Sequence, residues 1–241
     1  MLPTFNHSNL QSLFAERYEL IERDPVFRQV PSALPYCYSE QTPTNGLALV
    51  YRPQKWDTNS PCLIFLHGYG GSFLWSQQLL AEAFPDRLII CPAYGNSSAS
   101  MPLSYLSECI NAVEHEVGFK IDRPVLIGLS AGGFGAVHIY TQSPNRFACL
   151  IVLAAYPPEE TWAHFNKSMS VCFLVGAREP YVLSGFFDRS MQVVRSRVAR
   201  LEFGAIPKAD HFFLLAQRQE TLKVLKSWIE TPVVTNAAFR P

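Results

Sequence analysis

Six short, nearly uninterrupted apolar runs constrain this chain more than anything else in it. They are CLIFL (62–66), RLIIC (87–91), PVLIGL (124–129), FACLIVLA (147–154), VCFLVG (171–176) and ARLEFG (199–204). A strand with one wet face alternates apolar and polar residues, whereas a continuous apolar run has both faces covered. Stretches of helical pattern stand between most of the runs and after the last: Leu74–Phe84, Leu103–Val117, Ala131–Ser143, 186–198 and Phe212–Ile229. Buried strands alternating with helices predict an α/β fold, a mostly parallel twisted sheet with helices on both faces. Ahead of it, extended pieces at 34–40 and 46–52 flank TPTNG and predict an N-terminal antiparallel hairpin. Residues 8–23 place Leu10, Leu13, Phe14, Tyr18 and Ile21 at helical spacing behind Ser8, which predicts a capped amphipathic helix. The expected organisation is a helix and lead-in over 1–33, one α/β domain over 34–230, and a loose tail over 231–241. A chain of 241 residues is the right length for one large domain.

Composition removes several classes of function. Twenty basic and twenty acidic side chains cancel, and no basic run stands out, so neither nucleic acid nor an anionic membrane is an expected partner. No window approaches 18 apolar residues, so no transmembrane segment is expected. The opening MLPTFNHSNLQSLFAERYELIERDP lacks a charged region followed by an apolar one and does not read as a signal peptide. The six cysteines show no CxxC spacing and no clustering with histidine, so zinc is not expected, and nothing else in the chain implies a metal or an organic cofactor. Cys62, Cys91, Cys149 and Cys172 fall in apolar runs and read as buried free thiols, which points to a reducing, cytoplasmic setting.

Ligands of such sheets bind beyond the carboxyl ends of the strands, so chemistry is sought in the loops there. Gly128-Leu129-Ser130-Ala131-Gly132 ends one run and opens a helix. A serine on a sharp strand-to-helix turn projects its hydroxyl from the sheet edge. Small neighbours let the backbone pass, and the helix N-terminus favours developing negative charge. The hydroxyl needs a base. Of six histidines, His211 lies in the loop between the last run and the last helix, with His164 as the rival. His115 and His138 fall within helices, His7 in the lead-in, and His67 shapes the loop after the first run. The base in turn needs a carboxylate. Glu179, three residues past Gly176, is the candidate; Glu159, Glu160 and Asp210 compete with it. Backbone N–H groups of Ala131 and of Tyr69, with Gly70 next, are the expected oxyanion donors.

With HGYGG at 67–71, GLSAGG at 128–133, the acid position in VGAREP at 175–180 and ADHFF at 209–213, the chain resembles the α/β-hydrolase superfamily. The order nucleophile, acid, base is the order of that family's triad. The resemblance covers roughly residues 34–230. GLSAGGFGA is further similar to serine esterases of the esterase-D and polyhydroxybutyrate-depolymerase type, although members more often carry Asp where Glu179 stands. The resemblance implies a serine hydrolase acting through an acyl-enzyme on Ser130, with Glu179 and His211 completing the triad.

About 16 residues separate two of the strands where many relatives insert a cap domain, so no large cap is expected, only a short lid with Trp162 and Phe165. Tyr94, Met101, Trp162 and Phe186, with Trp75, are candidate substrate-binding residues, and Arg178 is near enough to clamp an anion. The expected substrate is a small to medium carboxylic ester or thioester. Amide, peptide or C–C bond hydrolysis on the same fold is the alternative within the class, and a non-catalytic binding module is the alternative outside it. The sequence leaves the oligomeric state open.

Overall fold

In the computed structural model, which describes residues 23, 25, 47–56, 60–68, 73–93 and 101–230, each apolar run carries a strand. The strands are β1 (Leu47–Tyr51), β2 (Leu63–Leu66), β3 (Ile89–Ala93), β4 (Val125–Leu129), β5 (Leu150–Leu153), β6 (Ser170–Gly176) and β7 (Arg200–Ile206). They form one sheet in the order β1-β3-β2-β4-β5-β6-β7, antiparallel only between β1 and β3. The expected helix over 8–23, the strand at 34–40, the TPTNG turn and the tail lie outside the described residues. Residues 47–51 find their antiparallel partner in β3, Leu47 opposite Ala93 and Tyr51 opposite Ile89.

Alternation along the strands builds two cores. Leu63, Phe65, Ile89, Cys91, Val125, Ile127, Ile151 and Leu153 face α1 (Phe73–Ala83), α6 (Phe213–Ala216) and α7 (Arg218–Glu230). Their neighbours Ile64, Leu66, Ile90, Leu126, Leu150 and Val152 face α2 (Leu103–Val117), α3 (Ala131–Gln142) and α5 (Phe186–Arg197). Every residue of β2, β3, β5 and β6 is therefore buried. Each large aliphatic or aromatic side chain so covered is worth about 1.5–3 kcal/mol. Among the described residues β7 is an edge, and its mixed burial reflects that.

Two short elements sit where only loops were expected. A 3-10 turn spans Glu159–His164, and α4 spans Pro180–Leu183 with proline at its first position, where a missing N–H costs nothing. The expected continuous helix over Phe212–Ile229 is instead broken at Gln217, whose φ and ψ are −115° and 44°. Phe213, Leu214 and Leu215 are all buried in succession. One stripe of a continuous amphipathic helix does not hold three consecutive buried residues, so the chain re-aims at Gln217 before α7, which buries Thr221 and Leu225. Thr221 seals the joint by donating its hydroxyl to the carbonyls of Phe213 (3.2 Å) and Gln217 (2.9 Å).

After β2 the chain moves to one side for β3, then crosses back to place β4 on the other. The carboxyl ends of β2 and β4 flank this reversal, which is where open α/β sheets form their crevice.

Candidate active site

Ser130 follows β4 directly and caps α3 with φ 53° and ψ −117°, a left-handed backbone that a residue bearing a Cβ rarely adopts. Such a conformation costs about 1–3 kcal/mol and persists only where its surroundings enforce it. Its N–H donates to Leu153 O at 2.8 Å, and its carbonyl accepts from Gly133 N–H at 2.8 Å. Gly132 completes the enforcement: a Cβ there would stand 2.3 Å from Leu66 O and 2.4 Å from His67 O, so only glycine lets α3 reach the end of β2. Ala131 is the first helical residue, and the N–H groups of a first turn have no intrahelical acceptor.

The two strands beyond supply the partners. β6 and β7 stay in register to their ends, Gly176 opposite Ile206, so the loops that follow leave side by side. Arg178 N–H donates to Ala209 O at 2.9 Å and Ala177 N–H to Ile206 O at 3.1 Å. The chain thus brings together three of the residues singled out in the sequence. His211 Nε2 stands 2.8 Å from Ser130 Oγ, and His211 Nδ1 stands 2.7 Å from Glu179 Oε2. Glu179 Oε1 accepts from Gly176 N–H at 2.9 Å. With a carboxylate at Nδ1, that nitrogen carries the proton and Nε2 is left to accept from the serine hydroxyl. The side chain of Glu179 is 2% exposed and that of His211 29%, so the carboxylate is sealed while the imidazole meets solvent.

The rival candidates stand elsewhere. Glu159 and Glu160 lie on the 3-10 turn, and the Asp210 carboxylate accepts from Phe212 N–H at 3.0 Å. His164 ends the same 3-10 turn, His115 lies in the last turn of α2, and His138 packs at 2.7 Å on Gln142 along α3. His67 is buried, its Nδ1 donating to Gly68 O at 3.0 Å, and burial lowers its proton affinity so that it stays neutral. Tyr69, Gly70 and Tyr94 lie outside the described residues. Gly68, next to them, packs directly under the serine, where an added Cβ would be 3.2 Å from Ser130 Cβ.

Of the expected substrate-binding residues, Trp162 and Phe186 meet at 6.3 Å between ring centroids. Trp162 is fixed by its indole N–H on Pro157 O at 2.9 Å. Met101, 2% exposed, packs with Tyr105 and Leu106 in the core on the α2 side, and Trp75, 3% exposed, packs in the opposite core. Arg178 is exposed beside Glu179. Sequence reading missed Tyr156, which joins the rings of Phe134 (5.4 Å), Phe186 (5.0 Å) and Tyr181 (4.9 Å) into one half-buried aromatic wall beside Ser130 and Glu179. It also missed Gly176: a Cβ there would stand 2.3 Å from Asp210 O. The strand-ending glycine was visible, but a contact with a residue 34 positions later has no local signature.

A sequence model described as the alpha/beta hydrolase family matches residues 63–205. Two curated proteins are similar to parts of the chain. A pimeloyl-[acyl-carrier protein] methyl ester esterase of Vibrio campbellii is 24% identical over 155 residues, 62% of this chain and 59% of that protein. The biotin biosynthesis bifunctional protein BioHC of Cellvibrio japonicus is 34% identical over 98 residues, 39% of this chain and 19% of that protein. The chain therefore spans less than two thirds of the length of either. Among solved structures, apo esterase 2 of Thermogutta terrifontis superposes with a TM-score of 0.62 at 16% identity, covering 83% of this chain and 96% of its own, and it is also known phosphoramylated by tabun. Among the described residues no helix is long and apolar enough to cross a membrane.

Proposed function

The chain belongs to the alpha/beta hydrolase family, and from that premise we propose that it is an esterase-type hydrolase, cleaving a small to medium carboxylic ester or thioester through an acyl-enzyme on Ser130. One observation carries the proposal: an unbroken hydrogen-bond chain from Ser130 Oγ through His211 to Glu179, at 2.8 Å and 2.7 Å, hung on a serine in a left-handed backbone at the head of a helix.

In the proposed reaction Ser130 Oγ attacks the substrate carbonyl while its proton passes to His211 Nε2. The Nδ1 proton stays between His211 and Glu179, whose buried charge stabilises the imidazolium. The carbonyl oxygen, now negative, rests on the N–H of Ala131 and a second donor assigned to Tyr69, with Gly70 beside it; removing one such donor costs about 100- to 1000-fold in rate. Collapse of the tetrahedral species expels the alcohol or thiol, protonated by His211. Water, deprotonated by the same nitrogen, then cleaves the acyl-serine. The aromatic wall of Tyr156, Phe186 and Trp162 lines one flank of the substrate site. The methyl ester named for the Vibrio campbellii relative, an acyl chain on a small alcohol, belongs to the proposed class. The resemblance of GLSAGGFGA to esterase-D-type enzymes fits the same chemistry. Among the described residues Cys62, Cys91, Cys109, Cys149 and Cys172 form no disulfide, which suits work in a reducing compartment.

A fluorophosphonate probe tests the reading. The folded protein is expected to be labelled and S130A is not; a folded wild type that stays unlabelled refutes the enzyme and leaves a binding module. A panel of p-nitrophenyl and methyl esters of rising acyl length, with acyl-thioesters and amides, then ranks the substrates.

A further inference from the structure

Tyr181 stands two residues after Glu179 in α4. Its ring packs between Tyr156, at 4.9 Å and 54°, and Phe187, at 6.4 Å and 52°. Its hydroxyl is buried and makes no hydrogen bond of good geometry to any described residue. The group is nevertheless close to the Glu179 carboxylate: burial first, and then that charge, hold the phenol well above its ordinary range. Glu179 for its part is 3% exposed and spends one oxygen on Gly176 N–H and the other on His211. A carboxylate accepts at about four lone-pair sites, so acceptor capacity remains. A buried hydroxyl thus stands beside a buried carboxylate that has acceptor capacity to spare.

We propose that Tyr181 is a positioning residue for the base, its O–H turning onto the Glu179 carboxylate and holding Oε2 in line with His211 Nδ1. This rests on the Ser130–His211–Glu179 reading above. The titratable groups around it are Glu179 on its own turn, His211 on the loop after β7, and Tyr156 on the loop after β5, which Glu160 influences in turn. Arg178 beside Glu179 is exposed, and Asp210 beside His211 is committed to Phe212 N–H. From α3 and α5 the surroundings are the rings of Phe134, Phe186 and Phe187, with Arg189 over the far ring of Phe186 at 5.8 Å. The sign of the effect follows. A donor on Glu179 spreads its negative charge; without it the carboxylate holds the neighbouring imidazolium proton more tightly.

Y181F keeps the ring and deletes only the O–H. It is expected to lower kcat about 10-fold, equivalent to about 1.4 kcal/mol, with KM within about twofold, a retained Tm, and the acid limb of the kcat/KM profile moved to higher pH. In an E179A background the same exchange is expected to leave kcat unchanged, because the residue acts through Glu179. A Y181F enzyme with wild-type kcat and acid limb overturns the inference, as does an equal loss in both backgrounds, which marks a packing role. E179Q, measured alongside, separates the two layers. If E179Q is crippled while Y181F is silent, only the role of Tyr181 falls; if E179Q keeps full turnover, the triad reading falls and takes this inference with it.

Discussion

Replacing Gly176 with alanine tests whether Glu179 and His211 meet because two backbones can touch. The added Cβ would stand 2.3 Å from Asp210 O and 2.7 Å from Ala209 O, and real Cβ atoms essentially never approach within 3.0 Å. The 0.7 Å between 2.3 and 3.0 must come from backbone, because both obstacles are carbonyls and no flexible side-chain end can yield. The two loops are also stitched by Arg178 N–H on Ala209 O at 2.9 Å, so parting them strains or breaks that bond. Overpacking of this kind costs about 1–3 kcal/mol. Taking about 2 kcal/mol, Tm falls by about 4–8 °C for a chain of this size. His211 directly follows the displaced Asp210 and is held at both ends by contacts of 2.7 and 2.8 Å, with no slack to absorb the motion. A catalytic group moved by close to 1 Å can lose about 100-fold in rate, so kcat/KM on a p-nitrophenyl ester is expected to fall by 10- to 100-fold (about 1.4–2.7 kcal/mol). G204A is the control, since a Cβ there meets only Leu174 Cδ1 at an ordinary 3.7 Å. The reasoning fails if G176A matches G204A in both Tm and kcat/KM.

Tyr140 offers a second handle, because its buried hydroxyl accepts from Ser170 N–H at 3.0 Å and donates to Ser170 O at 3.1 Å, tying α3 to the start of β6. Y140F leaves both groups in want of a partner and is expected to cost about 1–3 kcal/mol in urea unfolding; an unchanged midpoint counts against it. Burial also pushes the Tyr140 phenol up to about 12 from an ordinary 10, so the folded state holds its proton where the unfolded chain releases it. The stability this represents is complete below pH 10 and is lost as pH rises from 10 towards 12, with a slope of up to about 1.4 kcal/mol per pH unit. Y140F is expected to lose stability less steeply than wild type across that window, and parallel curves contradict the assignment. Finally, burial pushes the Cys149 thiol up to about 12, and Cys62 and Cys172 upward as well. Iodoacetamide at pH 8 is expected to leave peptides containing these three unmodified until the protein is unfolded; alkylation of Cys149 in the folded protein contradicts it.

What could be foreseen from the sequence was whatever repeats along the chain. Five apolar runs marked β2 to β6 because both faces of the sheet are covered there, so burial left few polar interruptions to blur them; the sixth, ARLEFG, marked the edge strand β7 despite Arg200 and Glu202. Ser130 was legible because the glycines that enforce its backbone are its sequence neighbours. The meeting of His211 and Glu179 was legible because both follow strand ends, and parallel strands deliver such loops to one edge. The break at Gln217 was not legible: FLLA and RQETLKVLKSWIE each suit a helix, and only the depth to which Phe213, Leu214 and Leu215 sink separates them. Tyr156, Tyr181 and Gly176 escaped for a related reason. Their meaning lies in partners brought near by the sheet, such as Asp210 against Gly176, and spacing along the chain does not encode that.

The same distinction explains why the site sits where close approach is greatest. Ser130, His211 and Glu179, on three separate loops, would each wander if their loops were merely adjacent. Here the loops interpenetrate: α3 reaches the carbonyls of Leu66 and His67 across Gly132, and the loop after β6 reaches the carbonyl of Asp210 across Gly176. Each contact is possible only because a side chain is absent, so each trades bulk that could have been packed for backbone rigidity at the sheet edge. That rigidity holds Ser130 at φ 53° and keeps the two hydrogen bonds of His211 within 0.1 Å of each other in length. Glycines at contacts of this kind therefore matter to the alignment as much as the three polar residues of the proposed triad, and losing either glycine is expected to damage turnover through geometry while every polar group remains present.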